Sequence, residues 1–402
     1  MKRAIVLSGG GAKGAYQMGF WKAIRQLNIS YDIVTGTSIG ALNGALMVQK
    51  SYFTAYRLWY FMNYNRVYDR KTSSEFSSDN RDIMMKYAKK VIKGGLDVEN
   101  LEKTIRNSIK PRLFYNSKID YGLITVKFPS LKPVILTKDK IEKDLLCDYL
   151  VASASCFPAF KMKNINNKKY IDGGYYDNLP INLAISMGAD EVIAVNLKEV
   201  GNVKKVKNKN IKVKIIEPNN DIGNFLIMDK NQSRRAIKFG YNDTMKAFGK
   251  LEGAKYTFKP CSIEDNFNYY YDYFCDICKK HLNKEKYSKV SKFNATKFND
   301  ILERLALSFN INETEIYTMD KMNYLISKYY DKYIDISLND VLKKIKERKL
   351  SKRFLSKEII ILIYRELNKK RSKILKSIID LLPDSVYCAI YLKTVIDKEK
   401  EL

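Results

Sequence analysis

The chain has few cysteines and no long apolar run, and each shortage excludes a class of protein. Six cysteines in 402 residues do not make a disulfide scaffold, and they fit a reducing compartment. The longest uncharged stretch, residues 33–49, is too short and too polar for a membrane-spanning helix. The apolar run at residues 4–7 is too short for the core of a signal peptide. We therefore expect a cytoplasmic protein without a signal peptide or a transmembrane helix.

Acidic residues are also in short supply, since 72 Lys and Arg residues stand against 44 Asp and Glu residues, a net charge of +28. Such an excess attracts anionic surfaces, although a generally lysine-rich composition would give the same number. Residues 341–376 hold 14 basic and 3 acidic residues among apolar ones, a pattern typical of segments that lie on anionic lipid. Nucleic-acid binding would need stacking aromatics among these charges, and only Phe354 and Tyr364 are there. We expect peripheral membrane association through this basic region and no nucleic acid.

The first 250 residues alternate short apolar runs with helical patterns. The runs at residues 4–7 and 31–35 each end at a glycine-rich turn, after which apolar residues recur at helical spacing. This alternation predicts an α/β fold with a mostly parallel sheet covered by helices. Strand signals fade beyond about residue 250, and no Pro- or Ser-rich linker marks the change. We predict an α/β domain over residues 1–250 and a basic, mainly helical region of unassigned role over residues 251–402. Further strands are expected at 121–127, 133–137, 168–171, 191–197 and 213–217, and a closing helix at 234–248.

Residues 36–40 read Gly-Thr-Ser-Ile-Gly and lie between a predicted strand and a predicted helix. This is the G-x-S-x-G nucleophile elbow in its expected context. Gly36 and Gly40 let the backbone turn sharply without a Cβ clash. The turn presents the Ser38 hydroxyl at the N-terminus of the helix, where a developing anion is favoured. The pattern therefore indicates that Ser38 is a nucleophile.

A second glycine-rich turn, residues 9–14, reads Gly-Gly-Gly-Ala-Lys-Gly. Backbone N–H groups without neighbouring side chains can approach a developing oxyanion closely, and Lys13 adds a cation at the same turn. A nucleophilic serine also needs a base, and the single histidine, His281, lies beyond the predicted domain boundary. Asp172 is the best candidate, because it ends a predicted strand and precedes Gly173 and Gly174.

The motifs at residues 9–14, 36–40 and 172–174 resemble, in order and context, those of the patatin-like phospholipase family, over about residues 2–248. The resemblance implies a three-layer α/β/α fold and a serine acyl hydrolase that cleaves fatty-acyl esters of phospholipids or lysophospholipids. It also implies a Ser–Asp dyad and an acyl-enzyme intermediate, with no cofactor and no metal. Carried over to this chain, the family's pattern makes Ser38 the nucleophile, Asp172 the general base, and Gly9, Gly10, Gly11 and Lys13 the oxyanion hole.

Other interpretations of the same residues stay open. An α/β-hydrolase-type esterase with a Ser38–Asp172–His281 triad fits the chain order, although such folds place several strands before the elbow. A non-catalytic lipid-binding module is a further alternative, opposed by the intact serine and aspartate. A dinucleotide-binding turn at residues 9–14 is disfavoured, because the second predicted strand does not end in an acidic residue.

Two further features have no assigned role. Cys261, Cys275, Cys278 and His281 lie within 21 residues, a spacing compatible with zinc but more typical of thiols packed as small apolar side chains. The aromatic-rich residues 52–64 are either core or the lining of an acyl-chain pocket. The head group, the acyl position and the chain length of the substrate stay open as well.

Overall fold

The structure is a computed structural model that describes residues 1–68, 95–332, 355–369 and 381–401. The chain divides into two compact units, Met1–Ala247 and Phe248–Leu402. The basic segment predicted to lie on lipid, residues 341–376, falls outside the described residues except for 355–369.

A mostly parallel sheet forms the centre of the first unit. Its strand order is β5-β6-β3-β2-β1-β7-β8, and β4 pairs with β3. Strands β1, β2, β3, β7 and β8 run parallel to one another, whereas β4 and β6 pair antiparallel with β3, and β5 pairs antiparallel with β6. The strands are β1 (Arg3–Leu7), β2 (Ile33–Thr37), β3 (Asp120–Phe128), β4 (Pro133–Thr137), β5 (Lys163–Ile165), β6 (Lys168–Asp172), β7 (Glu191–Val195) and β8 (Lys212–Ile216).

Helices cover both faces of this sheet, which gives the three layers that the resemblance implied. Successive residues of a strand point to opposite faces. On one face, Ala4 and Val6 of β1 pack in a cluster with Ile181 and Ala184 of α7. On the other face, Gly44 of α2 lies against side chains of β1 and β2. The helices of the unit are α1 (Ala15–Gln26), α2 (Ile39–Val48), α3 (Tyr52–Tyr60), α4 (Glu99–Ser108), α5 (Pro111–Asn116), α6 (Leu146–Ser153), α7 (Ile181–Ser186) and α8 (Lys230–Ala247).

Helices α1 and α8 cross at two glycines. A Cβ on Gly19 would overlap the backbone of α8 at Ile237, and a Cβ on Gly240 would overlap the carbonyl oxygen of Tyr16. The Tyr16 hydroxyl donates a hydrogen bond of 3.0 Å to Asp243 of α8, where both groups are buried. Because the helices meet backbone to backbone, this crossing fixes α8 against the helix that follows the glycine-rich turn.

The second unit is mainly helical in its described ranges. A buried polar network ties three of its helices together, because Asn266, Asn323 and Tyr391 form mutual hydrogen bonds of 3.0 to 3.2 Å. Within the described residues, no helix is long and apolar enough to cross a membrane. The elements are β9 (Thr257–Phe258), α9 (Ser262–His281), α10 (Lys284–Val290), α11 (Ala295–Ser308), β10 (Ile316–Tyr317), α12 (Met319–Asp331), α13 (Leu355–Leu367) and α14 (Pro383–Glu401), with β9 and β10 parallel.

The helix crossing predicts unequal costs for two glycine-to-alanine changes. Gly240→Ala should lower the free energy of unfolding by about 2 kcal/mol or more, because its Cβ meets backbone that cannot move aside. Gly44→Ala is the matched control within a helix, since its Cβ would meet mainly side chains at 3.0 Å and beyond. We expect the control to change stability by less than about 1 kcal/mol. Urea unfolding of both variants checks this, and equal losses would contradict the backbone-to-backbone crossing.

Candidate active site

Ser38 occupies the sharp turn between β2 and α2. Its backbone lies at φ 55° and ψ −129°, in a region that non-glycine residues rarely adopt. Its N–H donates a hydrogen bond of 2.9 Å to the Ser153 hydroxyl, which in turn donates one of 2.7 Å to the Ile124 carbonyl. A Cβ on Gly36 or Gly40 would overlap backbone, so this turn needs both glycines. The surrounding structure therefore holds the strained elbow that the motif predicts.

Strand β3 brings Asp172 next to this elbow. Ile124 of β3 is the register partner of Thr37, the last residue of β2. The next residue, Thr125, is the partner of Asp172, the last residue of β6. The ends of β2 and β6 therefore meet at adjacent positions of β3, although Ser38 and Asp172 lie far apart in the sequence. This pairing is antiparallel, so the carboxylate arrives from a strand that runs opposite to β2.

Burial sets the electrostatics of Asp172. Desolvation of the buried carboxylate raises its pKa from the ordinary 3.8 to about 6. Hydrogen bonds from the Ser38 side chain and from the Gly174 N–H, the latter 2.7 Å long, stabilise the ionised form and oppose that rise. The carboxylate is therefore more basic than an exposed one but still ionised at neutral pH.

In the glycine-rich turn, the three expected oxyanion donors differ in availability. The N–H of Gly9 already donates to the Asn178 carbonyl at 3.2 Å and to its Oδ1 at 3.1 Å. Among the hydrogen bonds of the described residues, none uses the N–H of Gly10 or Gly11. A Cβ on Gly9 would lie 3.0 Å from the Ser38 Cβ, so Gly9 provides space beside the nucleophile. Of the three expected donors, the N–H groups of Gly10 and Gly11 thus have no acceptor among the described residues, a difference that the sequence does not reveal.

Lys13 of the same turn is paired. Its Nζ lies 2.6 Å from Oε2 of Glu199, and both side chains are mostly buried. Its charge is therefore compensated in this structure. Sequence reasoning missed Asn178, Ser153 and Glu199, because no motif or spacing distinguishes them. Their roles follow only from contacts across the fold.

Four of the six groups expected to do chemistry line one cavity, and the other two, Gly9 and Lys13, are not among its lining residues. Ser38, Asp172, Gly10 and Gly11 line a space of about 330 Å³ together with mainly apolar side chains, which is large enough to take an acyl ester. Cys156 also lines it, but burial and the charges of Asp172 and Glu199 raise the pKa of its thiol to about 12. A thiol held in that form is a poor nucleophile.

His281 and the neighbouring cysteines lie in the second unit. Burial, Lys393 and Lys280 lower the pKa of His281 at the end of α9. Cys278 is buried and Cys275 partly buried, whereas Cys261 is exposed. In the parts of the chain that the structure describes, no group of three or more His, Cys, Asp and Glu side chains could hold a metal.

Part of the aromatic-rich stretch at residues 52–64 packs in the core, and part of it lies on the surface. Tyr52 and Trp59 are buried, and the Trp59 Nε1 donates to Asn43 of α2 at 2.9 Å. Trp59 and Met62 also line a small apolar hollow that reaches Ile39, the residue after the elbow serine. The stretch therefore contributes to the core, and its C-terminal part lies near the residue that follows the elbow serine.

Comparison with known proteins gives the following matches. Residues 5–185 match the family model described as patatin-like phospholipase. Patatin-like phospholipase domain-containing protein 7 of Rattus norvegicus is 28% identical over 203 residues, which cover 48% of this chain and 13% of that protein. Lysophospholipase NTE1 of Mycosarcoma maydis is 24% identical over 201 residues, which cover 50% of this chain and 10% of that protein. The chain thus spans only a small part of the length of these relatives.

Among solved structures, VipD from Legionella pneumophila is similar to this chain at 14% identity and a TM-score of 0.40. The match covers 98% of this chain and 90% of that one. The similarity is too weak to carry a conclusion about the site.

The buried carboxylate predicts a stability effect with a defined pH window. The folded-state pKa of Asp172, about 6, lies above the ordinary 3.8, so ionising this group destabilises the folded protein as pH rises between those values. Asp172→Asn removes that titration. Above pH 6 the variant should therefore melt at a higher temperature than the wild type. The corresponding gain in the free energy of unfolding is up to roughly 3 kcal/mol. The difference should disappear below about pH 4. Thermal melts across this range check it, and a pH-independent difference would contradict the burial argument.

Proposed function

The chain carries a patatin-like phospholipase domain over residues 5–185, and on that premise we propose that it is a serine acyl hydrolase of phospholipids or lysophospholipids. One observation carries the proposal: Thr37, which precedes Ser38, and the buried Asp172 pair with adjacent residues of β3, so that Ser38 and Asp172 line one cavity with Gly10 and Gly11. The first unit would be the hydrolase domain, and no activity is assigned to the second.

The first half-reaction forms an acyl-enzyme. The Ser38 hydroxyl oxygen attacks the acyl carbonyl carbon, and the Asp172 carboxylate takes the hydroxyl proton. The N–H groups of Gly10 and Gly11 stabilise the oxyanion of the tetrahedral intermediate. When that intermediate collapses, the ester C–O bond breaks and the departing alcohol takes the proton from Asp172. The acyl group is left on Ser38.

The second half-reaction reverses these roles with water. Asp172 takes a proton from water, the water oxygen attacks the acyl carbon, and the same donors stabilise the second oxyanion. Collapse returns the proton to Ser38 and releases the fatty acid. All of these steps use groups of the chain and water alone.

A raised pKa makes a carboxylate suitable for this work. A base is most effective when its pKa is near the working pH and it is still mostly ionised. Asp172, with a pKa of about 6, meets both conditions at neutral pH. The charge of Lys13 is already compensated by Glu199. We therefore give Lys13 the role of holding the turn in place through this ion pair.

Three substitutions test the proposal. The full chain is incubated with mixed phospholipid vesicles in chelator, and released fatty acids are read by mass spectrometry. Ser38→Ala should reduce release by roughly 10³-fold or more, and Asp172→Asn nearly as much. His281→Ala is the control and should change release little. Retained hydrolysis in Ser38→Ala would refute the assignment of the nucleophile, whereas a large loss in His281→Ala would favour a Ser–Asp–His triad.

The pH profile tests the identity of the base. Hydrolysis of a water-soluble ester should fall by half near pH 6 as pH decreases, because protonated Asp172 cannot accept the Ser38 proton. Asp177 is a matched control, since burial raises the pKa of this carboxyl to about 6 as well. Its Oδ1 accepts instead from the backbone N–H groups of Leu179 and Lys204. Asp177→Asn should leave the midpoint in place, and a shifted midpoint in that variant would assign the titration to Asp177.

A further inference from the structure

We propose that the surface around the mouth of the catalytic cavity docks onto the head-group layer of an anionic phospholipid bilayer. The proposal rests on the proposed function, because the cavity would then take its substrate from that layer. It also differs from the sequence-based expectation, which placed membrane association in the basic C-terminal region. We call this surface the mouth face; it consists of Phe128, Leu131, Phe157, Tyr175, Val200 and Val203.

Contacts within the first unit join these residues to the cavity. Tyr175 and Val200 both line it. The Tyr175 hydroxyl donates to the Phe157 carbonyl, and the Phe157 ring lies 5.9 Å from that of Phe128. On the other side, Asn202 binds the Tyr175 carbonyl at 2.6 Å, so the loop that carries the two valines lies next to Tyr175. The mouth face is therefore continuous from the β3–β4 turn to the loop after β7.

The side chains of the mouth face are more exposed than core packing would leave them. Val200 is 93% exposed, Leu131 59%, Val203 51% and Tyr175 45%. Single exposed apolar residues are ordinary on protein surfaces, but a group of them beside a ligand cavity is typical of an interaction site. Because these side chains stay exposed, they add little to the free energy of folding. Their apolar character is better explained by contact with a binding partner.

The backbone of Leu131 is a second, independent observation in favour of the docking proposal. Its backbone lies at φ 55° in the β3–β4 turn, and its N–H donates to the Lys127 carbonyl at 2.8 Å. Glycine and asparagine adopt this conformation at low cost, whereas leucine is strained there. A residue that is both strained and exposed stabilises neither the turn nor the core. Such an outlier is better explained by a role in binding.

The charge around the mouth face selects an anionic lipid surface as the occupant. Lysines flank it on both sides, and its acidic neighbour Glu199 is paired with Lys13. Apolar tips that enter the interface, surrounded by cations that meet lipid phosphates, are the usual arrangement of peripheral membrane proteins. Continuity with the cavity favours lipid over a protein partner. The flanking lysines are Lys127 and Lys132 at the turn, and Lys204 and Lys205 next to Val203. Lys198, in the same loop, is paired with Glu217 and is not counted among them.

The test uses the full chain in the Ser38→Ala background, so that binding is measured without hydrolysis. The variant Leu131→Asn with Val203→Ser removes two apolar tips outside the cavity lining. Its binding to vesicles of phosphatidylcholine with phosphatidylserine should weaken by roughly tenfold or more in co-sedimentation. Its melting temperature should be unchanged or higher, because asparagine suits the backbone at position 131.

Phe53→Ser is the matched control. Phe53 is 71% exposed, but it lines a hollow with Asp32 and Lys118, which come just before β2 and β3. It therefore lies at the end of the sheet opposite to Ser38. This variant should bind the same vesicles as well as its parent does.

A parallel assay with active Ser38 separates the two proposals. In that background the double variant should lose hydrolysis of vesicle lipid while it keeps hydrolysis of a soluble ester. Binding that depends on Leu131 and Val203 supports the mouth face even if no hydrolysis is detected, a result that would count against the proposed function alone. Unchanged binding of the double variant, equal losses in Phe53→Ser, or absence of vesicle binding by the parent would each overturn the docking proposal.

Discussion

The site depends on a carboxylate that the sheet buries beside a serine. Asp172 reaches Ser38 because β2 and β6 end at adjacent positions of β3, one pairing parallel and the other antiparallel. A shift of one residue in either register would turn the side chains of that strand to the opposite face. The same arrangement excludes water from the carboxylate and so raises its pKa to about 6. The position of Asp172 and its raised pKa thus have a common cause, the pairing of β2 and β6 with β3.

The structure around this pair is built mainly from backbone contacts. The elbow is strained at Ser38, and the Ser153 hydroxyl links its N–H to the Ile124 carbonyl of β3. Asn178 performs the corresponding task at the glycine-rich turn, where it occupies the N–H of Gly9. Such fixed backbone groups need little reorganisation when charge develops, which is what electrostatic stabilisation of a transition state requires. The cost is local strain and a buried charge, which the surrounding fold has to offset.

The region around the cavity combines properties that suit a lipid substrate. Its lining is mainly apolar, the thiol of Cys156 stays protonated, and the Lys13 charge is compensated by Glu199. Cations lie instead around the mouth face, outside the cavity. In the proposed enzyme, charge would attract and hold the lipid surface, and the dry interior would take the acyl ester.

The sequence alone determined the fold class and the positions of the chemical motifs. Apolar runs that end at glycine turns predicted the parallel core strands, because such strands are buried on both faces and leave a continuous apolar signal. They place β1 and β2 within one or two residues of the observed bounds. The elbow at Ser38 could also be predicted from the sequence, because the local backbone geometry requires its two glycines.

Only the tertiary structure decided which groups lie together. The three-residue strand β5 escaped notice because it is too short to show a pattern. The sequence could not reveal that Asn178 occupies the N–H of Gly9, that Glu199 pairs with Lys13, or that the rings of Phe128 and Phe157 lie side by side. Each of these facts is a contact between residues distant in the chain. Local propensity carries no information about such contacts, because they arise from strand register and helix packing.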